Sequence, residues 1–140
     1  MFELHADLQR GGFIIGNFPL CTLLAINDAT YPWFVLVPRR AGLRELYELT
    51  DADRLLFMHE STTLARQLAG AFNADKMNVA ALGNITPQLH IHHIVRYKDD
   101  PAWPAPVWGK FPARPYTAQE RTTLLVKLRH CLLNEFKFDE

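Results

Sequence analysis

Hydrophobic side chains recur along this chain in a helical rhythm in two stretches and in short extended runs elsewhere. Phe57, Leu64, Leu68 and Phe72 follow one another in steps of seven, four and four, which places them on one helix face. Thr50 stands ahead of them as an N-cap, and Asp51 and Asp53 fall in the first turn, where the helix dipole favours negative charge. The pattern predicts a helix from about Asp51 to Phe72 whose apolar stripe is core. A second helix starts at the capping box Thr117-Ala118-Gln119-Glu120 and lines Leu124, Leu128 and Leu132 along one side. The extended runs are Phe13–Ile15 and Leu20–Ile26, with Gly16-Asn17-Phe18-Pro19 as the turn between them. After a second turn over Asn27–Pro32 comes Trp33–Val37, stopped by Pro38. Lys76–Leu82 fits a strand, Gly83–Pro87 a loop and Gln88–Tyr97 another strand. Strands precede and follow one long helix without a βα alternation, so the order predicts an antiparallel sheet with helices on one side, an α+β fold.

Residues 99–115 break both rhythms. Prolines stand at 101, 104, 106, 112 and 115 among Trp103, Trp108 and Phe111. That density excludes regular structure, and the aromatics predict a segment lying against the body. Phe136 and Phe138 are expected to anchor the end of the chain. At 140 residues the length fits one domain. Residues 1–98 are expected to form its core, with 99–140, the Pro/Trp-rich segment and C-terminal helix, packed on it.

Composition narrows the function. Lys+Arg and Asp+Glu both number 15, so no basic stripe is available for nucleic acid, while a local pocket for a small anion remains compatible. The N-terminus has no basic region followed by an apolar one, and no apolar run approaches the roughly 18 residues that span a bilayer. Cys21 and Cys131 lie far apart with no CxxC spacing and are expected to be reduced. A cytoplasmic address, with no membrane partner, follows as an expectation.

The chemistry concentrates in Gln88-Leu89-His90-Ile91-His92-His93-Ile94. Alternate side chains of a strand share a face, so Gln88, His90, His92 and Ile94 point one way and Leu89, Ile91, His93 and Val95 the other. A row of two imidazoles and a carboxamide can supply a nucleophile, a general acid or base, or metal ligands. His93 faces away and is read as structural, as are His5, His59 and His130, which are remote in sequence.

This row resembles the signature of the histidine triad (HIT) proteins, His-φ-His-φ-His-φ-φ with φ apolar. The chain resembles a bacterial-type member with Gln88 at the first histidine. Leu24-Ala25-Ile26-Asn27-Asp28 is similar to the family's strand ending in a ribose-binding Asn or Asp, and Phe34–Arg39 to its next strand. Where the family carries Gly-His, Trp33-Phe34 stands here. Gly83-Asn84 matches the family's Gly-Gln pair ahead of the triad. The resemblance implies a HIT-like antiparallel sheet with one long helix and a C-terminal helix. It implies hydrolysis or transfer at the α-phosphate of a nucleotide ester, anhydride or phosphoramidate through a covalent nucleotidyl-histidine.

On that likeness His90 is the nucleophile. On the same strand face, His92 can be charged and bind a phosphoryl oxygen or protonate the departing group, and Gln88 can donate an amide N–H to a phosphate oxygen but cannot shuttle a proton. Asn27 or Asp28 takes the ribose hydroxyls. Asn78, Gly83 and Asn84 meet the phosphate. The implied substrate is a purine nucleotide, with no cofactor required and a divalent ion on the nucleotide compatible. A homodimer through the long helix and a neighbouring strand is implied too, with Tyr31, Trp33 and Phe34 as aromatic surface. Trp103 and Trp108 are flat surfaces on which a base can stack. Two alternatives stay open: a nucleotide-binding module that has lost catalysis through Gln88, and a zinc site at His90 and His92 completed by a third ligand.

Overall fold

A computed structural model describes residues 1–139. Ten elements follow in order: α1 (Ala6–Gly11), β1 (Gly12–Asn17), β2 (Cys21–Ile26), β3 (Trp33–Pro38), a 3-10 turn (Leu46–Glu48), α2 (Asp51–Phe72), β4 (Lys76–Ala80), β5 (Ile91–Arg96), α3 (Ala118–Cys131) and β6 (Lys137–Phe138). The strands form one sheet in the order β4-β5-β3-β2-β1-β6, and every pairing is antiparallel. The α+β architecture is the one the element order predicted.

The helices start and stop where local chemistry requires. Thr50 Oγ1 accepts the Asp53 N–H at 3.1 Å, and α2 ends at Asn73 in the left-handed region. Both reciprocal bonds of the capping box form between Thr117 and Glu120 at the head of α3. Phe57, Leu64 and Leu68 of α2, with Leu124, Leu128 and Leu132, bury one sheet face through Leu23, Ala25, Phe34, Leu36, Ile91 and Val95.

The opposite face is covered in two pieces. Phe2, Leu4 and Leu8 of the N-terminal segment close over Leu24, Val35 and Val37. Ala102, Val107 and Trp108 of the Pro/Trp-rich segment close over Tyr31, Trp33 and Ile94. That segment is tied down by Arg96, which is 1% exposed. Its guanidinium donates to both Asp100 carboxylate oxygens, to Asn78 Oδ1 and to the Ala105 carbonyl. Trp103 lies 5.6 Å from the same guanidinium.

Several boundaries differ from the sequence expectation. The helix α1 was not foreseen; it is six residues long and capped by His5, whose Nδ1 accepts the Asp7 N–H. Gly16 and Asn17 extend β1 instead of turning, because β6 pairs with them across the outer edge. A Cβ on Gly16 would stand 2.2 Å from the Lys137 carbonyl oxygen, so only glycine lets the two backbones approach. Phe136 and Phe138 anchor this edge; Phe136 packs edge-on against Phe18. β4 stops at Ala80, two residues early. The motif strand begins at Ile91, not Gln88: Leu89 donates its N–H to the Leu43 carbonyl and leaves the ladder.

Candidate active site

The alternation read from the motif holds through β5. Ile91, His93 and Val95 face α2, and His93 is fully buried, with Nε2 2.7 Å from Ser61 Oγ and Nδ1 3.0 Å from the Ile91 carbonyl oxygen. His93 is structural, as expected. His90 and His92 stand on the other face with ring centroids 5.1 Å apart. They line a cleft of about 310 Å³ between the Leu82–Thr86 loop and Trp108.

The hydrogen bonds of the pair determine what each ring offers. His90 Nδ1 lies 2.7 Å from the Gln88 main-chain carbonyl, which can only accept, so in the neutral ring Nδ1 carries the proton and Nε2 the lone pair. His92 Nδ1 lies 2.9 Å from Trp33 Nε1, and an indole N–H can only donate. The neutral His92 ring must then carry its proton on Nε2. Neither Nε2 has a protein partner among the described residues. Burial first, then the neighbouring His90 and His93, hold His92 down to about 3. The expectation of a charged His92 is thereby corrected: it is a neutral N–H donor walled by the rings of Trp33 and Trp108, with centroids 5.8 and 5.0 Å away.

The other expected site residues divide. Gly83 and Asn84 sit in the loop across the cleft from the histidines. Gly83 holds φ at +73°, a turn conformation that favours glycine. Gln88 turns away: its Oε1 accepts the His5 N–H at 2.8 Å and its Nε2 donates to the Glu3 carbonyl at 2.8 Å. Its amide clamps the N-terminal segment, and its contribution beside His90 is the main-chain carbonyl. Asn27 Oδ1 accepts the Tyr116 N–H, and Asp28 Oδ1 accepts those of Thr30 and Arg114. Both side chains hold residues 114–116 and neither lines the histidine cleft. Asn78 Oδ1 is taken by Arg96. Tyr31 and Phe34 are buried in the chain's own core and Trp33 lies against His92, so this trio is not a free surface. A zinc site needs a third ligand, and no grouping of three His, Cys, Asp or Glu side chains occurs among the described residues. None of the described helices is long and apolar enough to cross a membrane.

Sequence reasoning missed Trp33 as a site residue. Opposite Ile94 in the ladder, it reaches His92 diagonally on the shared face. That register comes from strand pairing and carries no local signal.

The HIT domain model matches residues 8–99. The chain belongs to the HIT family. Among solved structures, a histidine triad protein from Marinobacter aquaeolei VT8 is 49% identical, with a TM-score of 0.92 over 94% of this chain and 96% of that one. A histidine triad protein from Sinorhizobium meliloti 1021 is 40% identical with a TM-score of 0.91, covering 94% of this chain and 97% of that one. One from Bradyrhizobium japonicum is 39% identical with a TM-score of 0.91, covering 94% and 98%. These overlaps exceed residues 8–99, so most of the Pro/Trp-rich segment and α3 belongs to the shared architecture. Among curated proteins no sequence match of significance was found.

Proposed function

We propose that this HIT protein hydrolyses or transfers the nucleotidyl group of a purine nucleotide ester, anhydride or phosphoramidate through His90. The observation that carries the reading is the complementary pair in one cleft: a free lone pair on His90 Nε2 beside an N–H on His92 Nε2. An α-phosphate has an electrophilic phosphorus and anionic oxygens, so it needs one of each.

The reaction divides into two displacements. His90 Nε2 attacks phosphorus, the bond to the leaving group breaks, and the departing atom leaves with the bonding pair and gains a proton from solvent. Positive charge develops on the ring, where the Gln88 carbonyl accepts the Nδ1–H and spreads it. His92 donates to a phosphoryl oxygen, a bond that strengthens as charge grows on that oxygen. Water then attacks phosphorus, loses a proton, and the P–N bond returns its pair to His90. Glutamine at position 88 is compatible with this chemistry because the bond to His90 is made by the main chain.

Asn84 and the Gly83 backbone are the remaining phosphate contacts, and Trp108 is the surface on which the base stacks. For the ribose, which would lie beyond the histidine cleft, Asp28 Oδ2 and Asn27 Nδ2 are the atoms of this pair without a partner among the described residues. The protein acts as a homodimer in this reading. The free apolar surface that supports it is Leu55 and Met58 on α2 and Val79 on the β4 edge, exposed by 76%, 57% and 50%. Sedimentation should give twice the 16.1 kDa chain mass at micromolar concentration.

A panel of AMP and GMP esters, phosphoramidates and dinucleoside polyphosphates tests the function. Turnover lost in His90→Ala, with AMP binding retained, is the expected result. His90→Ala within about tenfold of the parent, roughly 1.4 kcal/mol of barrier, would sink it. AMP binding without turnover of any member would instead identify a binding module.

A further inference from the structure

We propose that Trp33 is a positioning residue whose indole N–H locks His92 in the tautomer that presents Nε2–H to the cleft. The inference rests on the nucleotidyl-transfer reading for its use and on hydrogen-bond geometry for its content.

A neutral imidazole has two tautomers of similar energy, and an external hydrogen bond selects between them. Among the described residues the only partner of His92 Nδ1 is the Trp33 indole, at 2.9 Å. Indole nitrogen donates and never accepts. With Nδ1 occupied as an acceptor, the proton stands on Nε2, toward the phosphoryl site. The other tautomer would aim a lone pair at anionic phosphate oxygens and leave the Trp33 N–H unpaired. A partly buried indole N–H without a partner is itself unfavourable.

The surroundings make the choice consequential. Doubly protonated imidazole would escape the tautomer problem, since both nitrogens would donate. His92 is 7% exposed and closed in by Trp33, Trp108 and His90, which disfavours that form. A neutral ring can donate to phosphate only in one tautomer, and Trp33 selects it. Trp33 is itself held by Ile94 across the ladder and by the edges of Tyr31 and Trp108 at 6.3 and 5.8 Å.

The decisive perturbation removes the N–H and keeps the ring. Benzothienylalanine at position 33 replaces the indole nitrogen with sulfur at nearly unchanged bulk; Trp33→Phe is the genetically encoded companion. Histidine 15N NMR of the full-length protein at pH 7 reads the tautomer without turnover. The parent should give His92 as Nε2–H, and the benzothienyl variant a mixture. kcat for an AMP ester should fall by about ten- to a hundredfold, short of or at the loss of a whole oxyanion donor, with KM changed much less. Parent His92 protonated on Nδ1 overturns the proposal. So does a benzothienyl variant that keeps the Nε2–H tautomer and kcat within twofold. If the parent turns over no nucleotide, the functional reading fails while the NMR still decides the tautomer.

Discussion

Lowering the pH from 7 to 5 should destabilise this protein by an amount calculable from two buried histidines. Burial holds His92 down to about 3 and His93 down to about 4. The ordinary value of 6.5 applies to the unfolded chain. A histidine depressed by folding binds more protons when unfolded. Its contribution is intact above pH 6.5 and is lost as pH falls from there toward the folded value. At pH 5 the unfolded chain has gained nearly one proton at each ring and the folded chain almost none. At about 1.36 kcal/mol per pH unit, each ring costs about 2 kcal/mol between pH 7 and 5, or about 4 kcal/mol together. Asp100, held low despite burial by Arg96, loses its contribution only below the ordinary 3.8. Glu60, raised by burial, loses its contribution as pH rises and opposes the trend. His93→Gln leaves both carboxylates in place and can still bond Ser61. Urea unfolding followed by tryptophan fluorescence at pH 7, 6 and 5 should show a loss smaller by about 2 kcal/mol in His93→Gln than in the parent. Equal losses in the two proteins would refute the assignment of a buried, neutral His93.

Four further substitutions separate the site from its supports. Gln88→Ala should lower stability by about 1–3 kcal/mol, because two hydrogen bonds to Glu3 and His5 are lost, while kcat stays within about threefold; a larger fall in kcat would return the Gln88 amide to the chemistry. Trp108→Leu should weaken AMP binding by about 1–3 kcal/mol in calorimetry, whereas Trp103→Leu, stacked on Arg96 outside the cleft, should lower only the melting temperature. Arg96→Leu strands the buried Asp100 charge and should cost about 3–5 kcal/mol in urea unfolding; a loss below about 1 kcal/mol would contradict the role of this ion pair in fixing the Pro/Trp-rich segment.

What the chain revealed in advance follows the range of the interactions involved. The limits of α2 were legible because Thr50, Asp51 and the apolar steps to Phe72 act within one helix. The head of α3 was legible because its capping box spans four residues. The two faces of β5 were legible because strand alternation is local, and that was enough to unite His90 with His92 and to set His93 apart. Features built from distant pairs were hidden. Trp33 meets His92 across 59 residues, and Gln88 reaches His5 across 83. Asp28 and Asn27 are engaged by Arg114 and Tyr116 across 86 and 89 residues. Short β6 and capped α1 owe their existence to an edge pairing and to a cover over Leu24 and Val35, neither of which is written in a periodic pattern.

The central claim is that His90 Nε2 forms a bond to phosphorus. Mass spectrometry of the parent, quenched at neutral pH during turnover of an AMP ester and digested under non-acidic conditions, tests it most directly. An adenylyl group on the peptide bearing His90, localised to that residue and absent in His90→Ala, is the predicted result. Turnover with no adduct on His90, or with the adenylyl group on His92, would contradict the account.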